Sequence, residues 1–287
     1  MQKSVTTISR PIANIIEPQN VVDGAGVKLR RLITPHQSNK FDPFLLLDHF
    51  SFDDPLEGPI SGFPMHPHRG IETVTYMLAG SVHHRDSLGN AGLIGSGDVQ
   101  WMTSGRGIMH EEMPRRDANG KVNGFQLWVN LPAAQKMTSP RYQEVAAATI
   151  PTVTKGGATV RVVVGQVWDA SGPVTEIAAK PVYLEVILQP GASFAQPTFS
   201  EHTALAYIFE GAGRFGAERE MIAASRLAVF GAGDQLEVES ETGMRFLFFA
   251  GAPFGEPIVP YGPFVMNTVE EIKQALVDLQ RGTFITP

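Results

Sequence analysis

His66-Pro67-His68 sets two imidazoles two residues apart, and His110-Glu111-Glu112 sets an imidazole and a carboxylate at the same spacing. On an extended chain, residues i and i+2 point to one side with Cα atoms about 7 Å apart. Each pair therefore offers both of its side chains to one face, and two such pairs on neighbouring strands can converge on one cation. Three neutral nitrogens and one carboxylate oxygen suit iron, nickel, copper, manganese or zinc rather than calcium. Octahedral geometry would leave two positions open for substrate or dioxygen, which is the logic of the non-haem Fe(II) facial triad with one ligand more. There is no cysteine in the chain, which removes disulfides, thiolate zinc sites and a cysteine nucleophile together. With 8 histidines in 287 residues, a His-x-His pair arises by chance in roughly one chain in five. The pair gains its weight from its setting.

Other polar residues carry blander readings. His83 and His84 are adjacent, so on a strand they face opposite ways and cannot both ligate. His36, His49 and His202 are expected to be structural or superficial. Glu111 points away from Glu112 and is expected to be solvated or salt-bridged. Arg69 and Arg106 flank the ligand strings and could pair with a carboxylate or steer an anion. Trp101 and Met102 read as core. The run Lys28-Leu29-Arg30-Arg31 reads as a solvated strand edge.

Strands are the elements that must position these groups. The 29 glycines and 21 prolines fit many short strands joined by tight turns. Residues 71–82 are rich in β-branched and apolar side chains, with a turn signal at Gly80. Residues 125–131 alternate, with Phe125, Leu127, Val129 and Leu131 on one face. Segments 159–164 and 183–188 repeat the style, so the fold class is all-β. One helix is predicted near the C-terminus. Thr268 and Glu271 form its capping box, Val269, Ile272, Leu276 and Leu279 its apolar face, and Gly282 its stop. A net charge of -6 gives no basic face for nucleic acid. No stretch approaches the ~20 apolar residues of a membrane span, and residues 1–16 hold no apolar run suited to a signal peptide. A cytoplasmic protein is expected.

An internal repeat divides the chain. Tyr76-Met-Leu-Ala-Gly80 resembles Tyr207-Ile-Phe-Glu-Gly211, and Gly95-Ser-Gly97-Asp98 resembles Gly231-Ala-Gly233-Asp234, with Gly107 falling on Gly243. Two copies of one β-unit are expected, joined through residues 132–157. Transferring these registers sets Pro197, Phe199, Phe246 and Phe248 where the first copy has His66, His68, His110 and Glu112. The expected domains are therefore 1–132, which binds metal, and 133–287, which lacks the ligands and ends in the helix.

Gly62 to Gly80, enclosing His66, His68 and Glu72, is close to the first cupin motif, and Gly97 to His110 resembles a stretched second one. The strings from His66 to Tyr76 and from Gly97 to Pro114 resemble the signature of the pirin family, as do Phe41–Asp48 and Tyr261–Thr268; the likeness runs from about residue 20 to residue 280. It implies two tandem cupin (jelly-roll-like) β-barrels and an N-terminal Fe(II) site held by His66, His68, His110 and Glu112, open to other divalent transition metals. Generic cupins would use Glu72, which has suitable strand parity, in place of Glu112. Some bacterial members are known as quercetin 2,3-dioxygenases, which implies a flavonol-like substrate, dioxygen, ring opening with loss of carbon monoxide, and a carboxylate base, Glu112 or Glu72. Other members are regulatory partners of transcription or of metabolic enzymes, which implies a protein partner and a redox-sensitive iron.

Overall fold

A computed structural model describes residues 7–52 and 60–285. Strands dominate, and the contacts divide the chain into two units, 19–149 with 254–287 and 1–18 with 150–253.

In the first unit a seven-stranded antiparallel sheet runs in the order Arg141–Val145, Val99–Thr103, Ile71–Ala79, Val122–Asn130, Phe44–Phe52, Val27–Ile33, Gln19–Asp23. A four-stranded sheet, Phe63–His68, Ile108–Arg115, Ser81–Asp86, Ala91–Ile94, faces it. The strand expected around Phe125 alternates as predicted: Phe125, Leu127 and Val129 are fully buried on one side. Its other side, Gln126 and Trp128, faces the barrel interior.

The C-terminal segment completes this unit. Its helix, Val269–Arg281, has the predicted capping box, with Thr268 accepting from the Glu271 amide, and it stops at Gly282 in the left-handed conformation. The buried stripe is Ile272 and Ala275, flanked by Leu276 and Leu279, and it packs on Phe264 and Phe284. Val269 is half exposed and lies outside that stripe.

The second unit repeats the ladder. Its order is Ile12–Ile16, Arg226–Phe230, Thr203–Phe215, Met244–Gly251, Val182–Leu188, Ala158–Val164, Thr152–Lys155, with Ala192–Pro197, Gln235–Ser240 and Glu220–Ala223 forming the opposite face. These units differ from the expected division at 132/133. Arg141–Val145 pairs with Val99–Thr103 and so belongs to the first barrel, whereas Ile12–Ile16 pairs with Arg226–Phe230 in the second. The physical reason is the sheet edge: an unpaired row of backbone donors and acceptors must be covered, and the first barrel covers it with the strand that follows its own ladder, whereas the second covers the matching edge with a strand from ahead of the first barrel.

Strand register aligns the two barrels residue by residue. Arg31 opposite Asp48, followed by a bulge, matches Val162 opposite Leu184, followed by a bulge. Gln126 opposite Thr75 matches Phe248 opposite Ala206. Glu112 opposite His84 matches Val238 opposite Phe215, which places Leu236 at the position of His110 and Gln196 at that of His66. The repeat is real, but its second anchor is corrected. The turn Gly231–Gly233 leads into Gln235–Ser240, so it corresponds to Gly105–Gly107 rather than to Gly95–Gly97. The position of Gly97 is taken by Ser225, also at positive φ (62°), whose amide donates to Ile208 O at 2.8 Å as the Gly97 amide donates to Met77 O at 2.8 Å. The replacements expected at Phe246 and Phe248 therefore fall one strand too late.

Candidate metal centre

Strands Phe63–His68 and Ile108–Arg115 pair so that His110 stands directly opposite His66, with a bulge before Glu112. His68 follows His66 on the same face. The imidazole centroids lie 4.4 Å (His66–His110), 4.9 Å (His66–His68) and 5.0 Å (His68–His110) apart. One ring nitrogen from each of the three falls within 4.8 Å of the others. Glu112 Oε2 is 3.9 Å from His110 Nε2. Its Oε1 lies 3.0 Å from the Thr75 hydroxyl, which is also 2.7 Å from Gln126 Oε1. Burial raises the Glu112 carboxyl above its ordinary pKa, with His66 opposing.

Hydrogen bonds fix which nitrogens face inward. His66 Nδ1 is 2.9 Å from Pro64 O, and His68 Nδ1 is 3.2 Å from Pro263 O. A carbonyl can only accept, so both Nδ1 atoms carry a proton and both Nε2 atoms turn to the cluster, where a neutral ring presents a lone pair. Those two Nε2 atoms are 3.1 Å apart. Lone pairs at that distance repel unless a proton or a metal ion lies between them, and two ligands at right angles on one ion about 2.1 Å away would show about this separation. Both ring nitrogens of His110 are buried without a hydrogen-bond partner. Burial, then the neighbouring His66, holds the His68 pKa down to about 3, and burial lowers His110 well below its ordinary value. Buried His68 and His110, both disfavoured as cations, with His66 and a carboxylate beside them, fit a divalent transition metal.

The cluster opens on a cavity of about 140 Å³ inside the first barrel. Leu29, Phe50, Phe63 and Trp128 supply apolar wall; Thr75, Gln126 and Glu112 supply polar groups near the histidines. Arg31 also lines it, in a two-pronged ion pair with Asp48 (2.8 and 2.7 Å) and a third contact to Asp23 (2.7 Å). The run Lys28–Arg31 is thus only partly a solvated edge: Val27 and Leu29 are buried, and Arg31 turns inward.

Glu72 lies elsewhere. Its parity cannot be carried over from the histidines, because the turn at Gly70 (φ +81°) moves the chain from the four-stranded to the seven-stranded sheet. On Ile71–Ala79, Thr75 faces Glu112, so Glu72, Val74 and Tyr76 face the opposite way. Glu72 is buried, takes a hydrogen bond from Thr103 at 2.7 Å, and its second oxygen has no partner. Burial raises its pKa to about 7. It does not line the cavity.

The remaining expectations resolve simply. Glu111 is paired with Arg85 at 2.5 Å. His83 is exposed and His84 buried against Gln100 and Glu144. His49 packs on Phe125 and meets Arg30 and Asn123. Trp101 and Met102 are core. The sequence reading missed Thr75, Arg31, Asp48, Gln126 and the Pro263 carbonyl. Strand parity from Gly124 could have found Gln126; nothing local marks a backbone carbonyl about two hundred residues from its partner.

Family models match both halves, the pirin model over residues 26–129 and the pirin C-terminal cupin domain over residues 183–285. A pirin-like protein of Caulobacter vibrioides is 44% identical, with 96% of this chain and 99% of that protein covered. Human pirin is 41% identical, with 91% and 89% covered. A crystal structure of quercetin 2,3-dioxygenase from Acinetobacter baumannii superposes with a TM-score of 0.88 at 33% identity, covering 96% of this chain and 98% of that one. No helix of the described residues is long and apolar enough to cross a membrane.

Proposed function

The chain belongs to the pirin family, and from that premise we propose that it is an Fe(II)-dependent dioxygenase of the quercetin 2,3-dioxygenase kind, acting on a flavonol-like substrate. The observation that carries this reading is the three-imidazole cluster at the wall of a partly open and largely apolar cavity. His66, His68 and His110 would hold the ion, with Glu112 as its fourth ligand. When bound, a divalent ion supplies Lewis-acid stabilisation of a substrate phenolate.

The protein's own groups do the rest. Leu29, Phe50 and Trp128 hold a planar aromatic and keep water out. Trp128 stands edge-on to His68, with centroids 5.1 Å apart, so a ring lying along the indole reaches the histidines. Glu112 accepts from Thr75 through Oε1 and turns Oε2 to the histidines; as a carboxylate that would also hold the ion, it is a weak base for the proton of the substrate's 3-hydroxyl. Glu72, on the far face of its strand, has no part in this step. Dioxygen is consumed, the ring opens and one carbon leaves as carbon monoxide.

The test is anaerobic loading with Fe(II), followed by an aerated assay that reads both flavonol loss and carbon monoxide. Turnover well above metal-free protein is expected. Equal rates with and without iron would remove the enzyme reading.

A further inference from the structure

We propose that the C-terminal segment from Phe254 to Phe284 positions the metal centre, with the Pro263 carbonyl fixing the His68 ring and an Arg69–Asp278 clasp holding that carbonyl in place. The inference rests on the metal reading above and extends it to residues far along the chain from the ligands.

His68 is fully buried, and its Nδ1 meets Pro263 O at 3.2 Å. That contact decides the tautomer. If Nδ1 lost its acceptor, Nε2–H would become the competing form, and Nε2 would no longer offer a lone pair. A backbone carbonyl on a turn can do this only if the turn is held, and here it is held from several directions. The Val265 amide donates to Arg69 O at 3.2 Å. Lys136 Nζ bridges Val265 O (2.8 Å) to Gly70 O (2.9 Å). Gly70 itself has no room for a side chain, since a Cβ there would sit 2.2 Å from Val265 O. The approach of this hairpin to the turn after His68 is thus backbone on backbone.

Arg69, the residue after His68, ties the same turn to the helix. Its Nε donates to Arg106 O at 2.5 Å, its Nη1 meets Asp278 Oδ2 at 2.6 Å, and its guanidinium lies 4.4 Å from the centre of the Phe284 ring. Arg69 is buried and Asp278 half-buried, which makes this pair more costly to break than a fully exposed one. Hydrogen-bond partners behind a ligating histidine typically govern metal affinity by about 10- to 100-fold. Asp278 acts through Arg69 and is a positioning residue, not a ligand.

The experiment compares the full chain with Asp278→Ala, Asp278→Glu and, as a control for general destabilisation, Ile222→Ala in the second barrel. Imidazole 15N NMR of metal-free protein reads the His68 tautomer. Cobalt(II) titration reads affinity, and the visible spectrum of bound cobalt reads ligand geometry. Asp278→Ala is expected to erode the Nδ1–H tautomer, weaken cobalt binding by about 10- to 100-fold and alter the spectrum. Asp278→Glu should restore all three readouts, and Ile222→Ala should leave them unmoved. An unchanged tautomer and affinity in Asp278→Ala overturns the proposal, as does an equal loss in Ile222→Ala. A tautomer change in a chain that takes up no cobalt at all would uphold the positioning and remove the metal reading instead.

Discussion

The two barrels share a ladder, with matching bulges after Arg31 and Val162, and differ in what fills it. Inside the second, Val162, Leu184, Ala206, Phe215, Leu236, Val238 and Phe248 form one apolar core. At the matching positions the first has Arg31, Asp48, Thr75, His84, His110, Glu112 and Gln126. One backbone plan is stable with either filling, so the polar set in the first barrel is not there for the fold. Buried polar and charged groups cost free energy unless fully partnered. The first barrel keeps them, with a cavity among them, where the second has placed phenylalanine.

The largest expected effect comes from transplanting one filling into the other. His110→Leu with Glu112→Val gives the first barrel the second barrel's residues on that strand. Bound metal, measured by elemental analysis after loading, should fall from near one per chain to background, while thermal stability holds or rises. Retained metal would mean that the ion does not depend on this strand, and the contrast between the barrels would lose its meaning.

The next effect concerns packing. Phe248→Ala opens a hole in a dry core and should cost about 3–5 kcal/mol in denaturant unfolding. Its counterpart Gln126→Ala borders a cavity already present and should cost about 1 kcal/mol, the scale of a lost hydrogen bond. Similar losses at both sites would mean that the first barrel is packed as tightly as the second. The ion pair sharpens the same point. Arg31→Val alone leaves Asp48 buried without its cation and should cost about 3–5 kcal/mol; adding Asp48→Leu, which completes the second barrel's rung, should recover the loss.

Much of this was legible in the sequence for local reasons. The His-x-His and His-x-Glu pairs sit on single strands, where period-2 geometry holds, and the helix announces itself through its cap and its stop. What crossed a turn or a sheet was harder. The parity of Glu72 was lost at Gly70, where the chain changes sheets. Two Gly-rich turns of similar composition, before Val99 and before Gln235, looked like one repeated unit but feed different strands. Arg31 looked like part of a solvated basic run because its partner, Asp48, sits on another strand, after the apolar run Phe44–Leu47. Domain limits failed for the same reason: edge pairing is decided in space, and a strand such as Ile12–Ile16 carries no local mark of which barrel it will close.

Glu72 offers the smallest and most specific test of the contrast. The equivalent rung of the second barrel carries Thr203, a group that does not ionise. Burial raises the Glu72 pKa from 4.5 to about 7. Below pH 4.5 both folded and unfolded chains hold the proton, and burial of the carboxyl carries no ionisation penalty. As pH rises towards 7 the unfolded chain releases the proton while the folded chain keeps it, so stability falls; above 7 both are ionised and the penalty is constant. At 1.36 kcal/mol per unit this approaches about 3 kcal/mol as an upper bound. Glu72→Gln removes the penalty and keeps an acceptor for the Thr103 hydroxyl. The variant should therefore be more stable than the parent at pH 8, with the two unfolding curves converging as pH falls towards 4.5. Metal uptake should not change, because Glu72 lies on the other face of its strand from Thr75 and Glu112. A variant that gained no stability at pH 8 would show that Glu72 is satisfied as an anion, and one that lost its metal would place the carboxylate back among the ligands.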